Sequence, residues 1–256
     1  MFWFNLLVAA TLTGACSAVM AVVLLAGVGL PERDLIRLRA RLLRGWAVIV
    51  TRGMGFRVRV RGPRPEPGDR PIYLVANHQT YLDIVLLASI WPVTFVSRHD
   101  AARWPVLGPL IRMVGTVFVD RTSAMATARV VGAVVRALEA GAHLAAFPEG
   151  TTGGGDRVMP FKTALFEAPV RAGAWIQPVT VRYTALAGRP LDRTNRDRVC
   201  WHGHVPFLPH VLGLLKSRGL EAEVVFGRGF PAPDYRKTAA RMARDEIEAN
   251  FRPVGD

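Results

Sequence analysis

The sequence has few cysteines and few lysines, and it contains no Gly-x-Ser-x-Gly motif. Its two cysteines, Cys16 and Cys200, lie in unrelated contexts, so they predict neither a disulfide framework nor a zinc site. Lysine occurs only at positions 162, 216 and 237, so nearly all of the cationic residues are arginines. The missing serine motif argues against an enzyme with the nucleophile elbow of the α/β-hydrolases.

Charged side chains are also missing from residues 1–31, which contain no Asp, Glu, Lys or Arg. Leu6 to Leu30 is an apolar run of 25 residues. As a helix such a run would be about 37 Å long, enough to cross a hydrocarbon core of ~30 Å. A secretory signal peptide needs a basic start and a shorter apolar core, and neither is present. We therefore predict a transmembrane helix at residues 1–31.

An arginine-rich segment follows, with Arg at positions 33, 37, 39, 41 and 44. By the positive-inside rule, these arginines place the body of the protein on the cytoplasmic face. Residues 32–55 are predicted to form a second helix, with Leu and Ile broadly on one side and Arg on the other. This pattern is typical of an amphipathic helix in the membrane interface, and equally of a helix packed on a domain with a solvated basic face.

The charge of the whole chain is strongly positive, because 33 Lys and Arg residues against 20 Asp and Glu residues leave a net charge of +13. Such a balance fits an anionic partner, either a nucleic acid, an acidic membrane surface or a phosphorylated substrate. Half of the residues are hydrophobic, which favours the membrane over a nucleic acid. The length of 256 residues suffices for one sizeable α/β domain with an appendage.

Strands and helices alternate through residues 56–256, which we treat as one domain. The alternation predicts an α/β fold, with a mostly parallel mixed sheet flanked by helices. Strands are expected at 56–61, 71–76, 92–97, 116–119, 143–147, 176–183 and 221–226. Helices are expected at 80–91, 98–114, 122–140, 161–172, 207–218 and 235–250.

The segment Asn77-His-Gln-Thr-Tyr-Leu-Asp83 lies where the apolar strand at 71–76 ends and a helix begins. In an open α/β sheet this is the usual position of catalytic groups. With His78 in the connecting loop and Asp83 about one turn into the helix, the carboxylate can hold one imidazole nitrogen. The other nitrogen is then free to act as a general base. The open alternative is that His78 is a polar loop residue and Asp83 only complements the helix dipole.

Two further strand ends carry polar groups. Arg121 follows the strand at 116–119, where its guanidinium could hold a phosphate or form a surface ion pair with an acid. Glu149 and Gly150 follow the strand at 143–147. Glu149 could accept a hydrogen bond from a substrate hydroxyl or orient Arg121, and Gly150 would let backbone N–H groups approach a ligand. An ordinary turn with an exposed acid is the alternative.

Lys162 opens the next predicted helix, where a cation opposes the helix dipole unless an anion is nearby. It is therefore a candidate phosphate contact, although a solvated lysine is the commoner case. Because the ends of parallel strands meet at one edge of a sheet, we expect the groups at the three strand ends to converge.

Four blocks of the sequence, within roughly residues 70–185, resemble those of the glycerolipid acyltransferase family, whose bacterial members include 1-acylglycerol-3-phosphate acyltransferases. The order and spacing of the blocks both match. The blocks are Asn77 to Asp83 with its His-x4-Asp spacing, Gly115 to Arg121, Phe147 to Thr151 and Ile176 to Val179.

The resemblance implies that His78 and Asp83 are the catalytic residues. Two positions depart from the family pattern: Arg98 stands where many members have Lys, and Ala164 stands where Gly is common. The first keeps the charge, and the second weakens any argument for a close backbone approach there. The implied substrate-binding residues are Arg98, Arg121, Glu149, Gly150, Thr151 and Lys162.

The activity that the resemblance implies is acyl transfer from acyl-CoA or acyl carrier protein to the hydroxyl of a lysolipid. The expected acceptor is 1-acylglycerol-3-phosphate, giving phosphatidic acid. The tail from about residue 186, including Trp201 to His204, also resembles lyso-ornithine lipid acyltransferases, so that acceptor is the alternative. The expected location is the cell inner membrane, with the catalytic domain on the cytoplasmic face.

The expected partners are membrane lipids, the lysolipid and the acyl donor, with no nucleic acid. No metal or cofactor is expected, because a thiolate leaves easily without one. A function of another class is a non-catalytic basic protein that binds membranes. A weaker alternative is a lipid hydrolase in which His78 activates water.

Overall fold

The computed structural model describes residues 2–27, 29–66, 69–98, 113–119 and 124–255. Over these ranges the chain forms one mixed sheet with helices on both faces. The strands are β1 (Arg57–Arg61), β2 (Ile72–Ala76), β3 (Thr94–Arg98), β4 (Val117–Val119), β5 (Leu144–Ala146), β6 (Trp175–Leu186), β7 (Arg189–Pro190), β8 (Leu220–Phe226) and β9 (Phe230–Pro231). The helices are α1 (Phe2–Ala26), α2 (Glu32–Gly53), α3 (Leu82–Ile90), α4 (Ala124–Glu139), α5 (Glu167–Arg171), α6 (Phe207–Leu215) and α7 (Arg236–Asn250).

The strand order across the sheet is β1-β8-β6-β2-β5-β3-β4. The five strands from β6 to β4 run parallel to one another. β8 is antiparallel to β6 and parallel to β1, and the short strands β7 and β9 pair with β6 in the antiparallel sense. The predicted α/β fold with a mixed sheet flanked by helices is therefore confirmed.

The central strand β2 shows why its sequence is apolar throughout. Ile72, Leu74 and Ala76 pack into the core on one face of the sheet, together with α2, α3 and α6. Tyr73 and Val75 pack into the core on the other face, with α4 and α7. Because both faces are covered, an apolar residue is needed at every position, as is usual for parallel strands.

Most elements begin and end within three residues of their predicted bounds, and two of the differences have a visible cause. β6 continues to Leu186, because its pairing with β8 persists beyond a shift in register between Tyr183 and Ala185. The helix expected at 161–172 is instead a 3-10 turn at Thr163–Phe166 followed by α5. The backbone N–H of Lys162 donates to Pro148 O at 2.8 Å, so the chain is still extended there. The helix expected at 98–114 lies largely outside the described residues.

The helix α2 buries Ala40, Leu43, Ala47 and Thr51, which recur every three or four residues along one stripe. This stripe faces the domain, because α2 contacts α3, α1 and β3. Packing on the domain was one of the two alternatives for residues 32–55, and the membrane-interface alternative stays a prediction. Over the described ranges, no helix is long and apolar enough to cross a membrane, so the transmembrane prediction for residues 1–31 is not confirmed.

Candidate active site

The loop between β2 and α3 brings His78 and Asp83 into direct contact. The imidazole Nδ1 lies 2.7 Å from Asp83 Oδ2. The His78 side chain is 17% exposed, whereas that of Asp83 is fully buried in the first turn of α3. The five-residue spacing therefore forms the hydrogen-bonded pair that the sequence predicted, rather than two unrelated polar groups.

The buried carboxylate of Asp83 accepts hydrogen bonds from four donors. Its Oδ2 accepts from the backbone N–H groups of Gln79 at 2.7 Å and Thr80 at 3.0 Å, in addition to His78. Its Oδ1 accepts from the hydroxyl of Tyr183 at 2.7 Å. These donors compensate for the burial of a charged group, which would otherwise be strongly unfavourable. The carboxylate is consequently fixed in position.

Tyr183 is a residue that the sequence analysis missed. It lies in β6, far along the chain from Asp83, and is itself buried. Burial is the main reason that its pKa is raised well above the usual value, with the Asp83 charge and hydrogen bond acting in the same direction. Its hydroxyl therefore stays protonated and can serve as a permanent donor. No local signal marks it, because a tyrosine in a buried strand resembles any other core residue.

The contact with Asp83 decides which imidazole nitrogen is available for chemistry. Because a carboxylate only accepts hydrogen bonds, Nδ1 of His78 carries the proton and Nε2 is left to accept one. The ring also stacks on Phe147, with centroids 4.0 Å apart and planes 14° apart. Phe147 in turn stacks on Phe95 at 6.2 Å. The imidazole is therefore held both by its hydrogen bond and by an aromatic column.

Glu149 lies beneath the same loop and contacts the backbone of His78. Its Oε1 accepts from the His78 N–H at 3.0 Å, and its side chain is buried. Burial raises the pKa of Glu149 to about 8, and the Asp83 charge adds to this effect. The N–H groups of His78 and Met159 and the charge of Arg244 act in the opposite direction. Glu149 thus holds the loop that carries His78 in position.

The segment after β5 joins the His78 loop through backbone hydrogen bonds. The Gly153 N–H donates to His78 O at 2.8 Å. Gly150 adopts a φ of 70°, which explains the glycine at this turn. Its N–H donates to Phe147 O at 3.1 Å. The turn itself therefore uses this donor, and the approach of neighbouring backbone N–H groups to a ligand stays a prediction.

Of the remaining predicted site residues, Thr151 and Lys162 are exposed. The bond from Lys162 N–H to Pro148 O brings Lys162 beside the turn that carries Glu149. Arg98 is the last residue of β3, so its backbone lies at the same edge of the sheet as His78 and Glu149. Arg121 lies outside the described residues. The predicted convergence is thus confirmed for His78, Asp83 and Glu149.

Two amide side chains anchor the loop to β6, and the sequence analysis assigned a role to neither. Asn77 donates to Val181 O at 3.0 Å and accepts from Val181 N–H at 2.7 Å. The Gln79 side chain also donates to Val181 O, at 3.2 Å, and the backbone carbonyl of Gln79 accepts from the Trp201 backbone N–H at 2.9 Å. These bonds hold both neighbours of His78 to the sheet and to the C-terminal part of the chain.

Within the part of the chain that the structure describes, no group of three or more His, Cys, Asp or Glu side chains is arranged so that it could hold a metal ion. His202 instead lies 3.0 Å from Asp197, and His204 is exposed.

Three comparisons with known proteins show what this chain is similar to. A family model described as Acyltransferase matches residues 57–182. A lyso-ornithine lipid O-acyltransferase from Rhizobium meliloti is 37% identical over 210 residues, which cover 79% of this chain and 70% of the relative. A 1-acyl-sn-glycerol-3-phosphate acyltransferase from Neisseria meningitidis is 33% identical over 167 residues, covering 65% of this chain and 63% of the relative. The crystal structure of the 1-acyl-sn-glycerophosphate acyltransferase PlsC from Thermotoga maritima has the same fold, with a TM-score of 0.67 over 98% of this chain and 96% of that one, at 16% identity.

Proposed function

Because the chain belongs to the glycerolipid acyltransferase family and is an O-acyltransferase acting on a lysolipid, we propose that His78 is the general base of this transfer. The observation that carries the proposal is the 2.7 Å contact between His78 Nδ1 and the buried carboxylate of Asp83. It leaves Nε2 to accept the proton, on a side chain that is partly exposed.

The proposed reaction proceeds by direct transfer. The acceptor hydroxyl gives its proton to Nε2 of His78 while its oxygen attacks the carbonyl carbon of an acyl thioester. The C–S bond then breaks, and the leaving thiolate takes the proton from the imidazolium. Asp83 stabilises the imidazolium between these steps and keeps the ring oriented. The acyl donor is acyl-CoA or acyl carrier protein, both of which are thioesters.

We place lyso-ornithine lipid first among the acceptors and 1-acylglycerol-3-phosphate second, which reverses the order expected from the sequence. The reason is that the Rhizobium meliloti relative, named for the former, is similar over 79% of this chain. The Neisseria meningitidis relative, named for the latter, is similar over 65%. Arginine does not separate the two, because it binds a carboxylate and a phosphate equally well.

The deciding experiment offers both lysolipids side by side to membranes that contain the protein, with acyl-CoA and acyl carrier protein as alternative donors. We expect faster acylation of lyso-ornithine lipid, and loss of both activities in His78→Ala. Transfer that is undiminished in His78→Ala would contradict the role of the imidazole. Free fatty acid released at the same rate without a lysolipid would instead identify a hydrolase, and lipid binding without any transfer would identify a non-catalytic membrane protein.

We also propose that residues 1–31 hold the enzyme at the inner membrane with its catalytic domain on the cytoplasmic face. The support is the charge-free apolar run and the arginines that follow it. The test is extraction of membranes with alkaline carbonate, followed by proteolysis of sealed vesicles of known orientation. Release of the full chain by carbonate would contradict anchoring, and protection of the catalytic domain in right-side-out vesicles is the expected result.

A further inference from the structure

The helix α6 has no polar side chain on its exposed side. Its sequence, Phe-Leu-Pro-His-Val-Leu-Gly-Leu-Leu, contains one polar residue, His210. His210 faces the protein and is 7% exposed, whereas Leu208 faces outward and is 63% exposed. A helix on a water-facing surface has the opposite arrangement, with its polar residues outside. An apolar helix surface facing outward is instead typical of contact with lipid.

The inward side of α6 is fixed to the catalytic loop. Nδ1 of His210 lies 3.0 Å from the hydroxyl of Tyr81, which belongs to the same loop as His78. The ring of Tyr81 also packs edge-on against Phe207 at 5.1 Å and Trp201 at 5.9 Å. α6 is thus attached to this loop through Nδ1 of His210 and through ring contacts, so the exposure of Leu208 is not the result of a loosely attached helix.

α6 contacts another helix that carries exposed apolar side chains. α6 contacts α1, in which Val19, Val22 and Leu25 are each more than half exposed. Two cations, Lys216 and Arg218, are exposed directly after the end of α6. Apolar side chains beside cations suit a bilayer, in which acyl chains lie beneath anionic headgroups.

We propose that α6 lies in the interface of an anionic lipid bilayer, with Leu208 inserted among the acyl chains and Lys216 and Arg218 at the headgroups. The Tyr81 contact then holds the loop that carries His78 close to the lipid surface, where a lysolipid acceptor resides. Only the position of the His78 loop near the lysolipid acceptor rests on the proposed function, because contact of α6 with lipid does not require acyl transfer.

The test places an environment-sensitive fluorophore on Leu208→Cys in the full chain, bound to vesicles of phosphatidylethanolamine and phosphatidylglycerol with brominated acyl chains. Tyr235→Cys is the matched control. Tyr235 is also a large exposed side chain (54%), but it lies directly before α7 and not in α6. The unsubstituted chain, labelled in parallel, gives the background from Cys16 and Cys200. We expect several-fold stronger quenching at 208 than at 235.

Equal quenching at the two positions, or none at 208, would overturn the inference. Disulfide cross-linking between 208 positions of two copies, without quenching by lipid, would overturn it in favour of an interface between copies. The same vesicles separate this inference from the proposed function, because His78→Ala should lose acyl transfer and retain the quenching. If acyl transfer is intact but the fluorophore at position 208 is not quenched, the lipid contact is contradicted and the proposed function is not.

A second variant tests the consequence for catalysis. Leu208→Gln should lower kcat/KM several-fold for a long-chain lysolipid in vesicles, and it should leave transfer to a short-chain, water-soluble lysolipid within about twofold of the unsubstituted enzyme. An equal loss with both acceptors would indicate damage to the fold and would contradict a role for Leu208 in lipid contact.

Discussion

The hydrogen bond from Tyr183 to Asp83 allows a direct test of how the catalytic pair is supported. Tyr183→Phe removes the hydroxyl that lies 2.7 Å from Asp83 Oδ1 and leaves the aromatic ring in place. Both side chains are buried, so water cannot replace the missing donor. A hydrogen bond to a charged group contributes ~1.5–3 kcal/mol, and an unpaired buried partner adds to the loss. We expect the free energy of unfolding to fall by about 2–3 kcal/mol in urea titrations.

The same substitution should change the pH dependence of catalysis. With one donor fewer, the Asp83 carboxylate retains more of its negative charge and attracts the His78 imidazolium more strongly. The acidic limb of the kcat/KM profile should therefore move to higher pH. A role limited to packing would not move this limb.

Tyr73→Phe is the control for this prediction. Tyr73 is also a buried strand tyrosine, and its hydroxyl donates at 2.9 Å to the neutral carbonyl of Leu165 rather than to a carboxylate. Its loss should cost about 1 kcal/mol of stability and leave the acidic limb unchanged. The reasoning would be refuted if Tyr183→Phe and Tyr73→Phe gave the same loss of stability and the same pH profile.

Three further predictions concern the other groups around His78. Asp83→Asn should lower kcat by as much as ~10⁴, measured under single turnover, because the amide no longer orients and stabilises the imidazolium. Glu149→Gln should lose a pH-dependent contribution to stability. The folded pKa of Glu149 is raised from 4.5 to about 8, so in the unsubstituted protein this contribution is complete below about pH 4.5 and is lost as the pH rises to about 8. Gly150→Ala should cost about 1 kcal/mol in thermal unfolding, because its φ of 70° is unfavourable for alanine.

Each of these predictions has an outcome that contradicts it. A kcat within tenfold of the unsubstituted enzyme in Asp83→Asn would show that the carboxylate is not needed for orientation. For Glu149, the unsubstituted protein is compared with Glu149→Gln. If the difference in their stability does not change with pH, burial does not keep the Glu149 carboxyl protonated. For Gly150, unchanged stability of the alanine variant would mean that the turn can rearrange.

The sequence alone determined those features of the protein that depend on neighbouring residues. The alternation of strands and helices predicted the α/β fold. The unbroken apolar run of β2 matches its burial on both faces of the sheet. The contact between His78 and Asp83 was also predictable, since both residues lie at one junction of a strand and a helix. The place of Glu149 beside the His78 loop was predictable as well, because both residues follow parallel strands whose ends meet at one edge of the sheet.

Only the tertiary structure decided which distant residues support the catalytic pair. Tyr183 reaches Asp83, and Val181 binds Asn77, because β6 lies directly beside β2 in the sheet. The outward direction of Leu208 likewise follows from the inward contact of His210 with Tyr81. Strand order and helix orientation are set by packing between segments that are far apart in the chain, and no local pattern of residues records them.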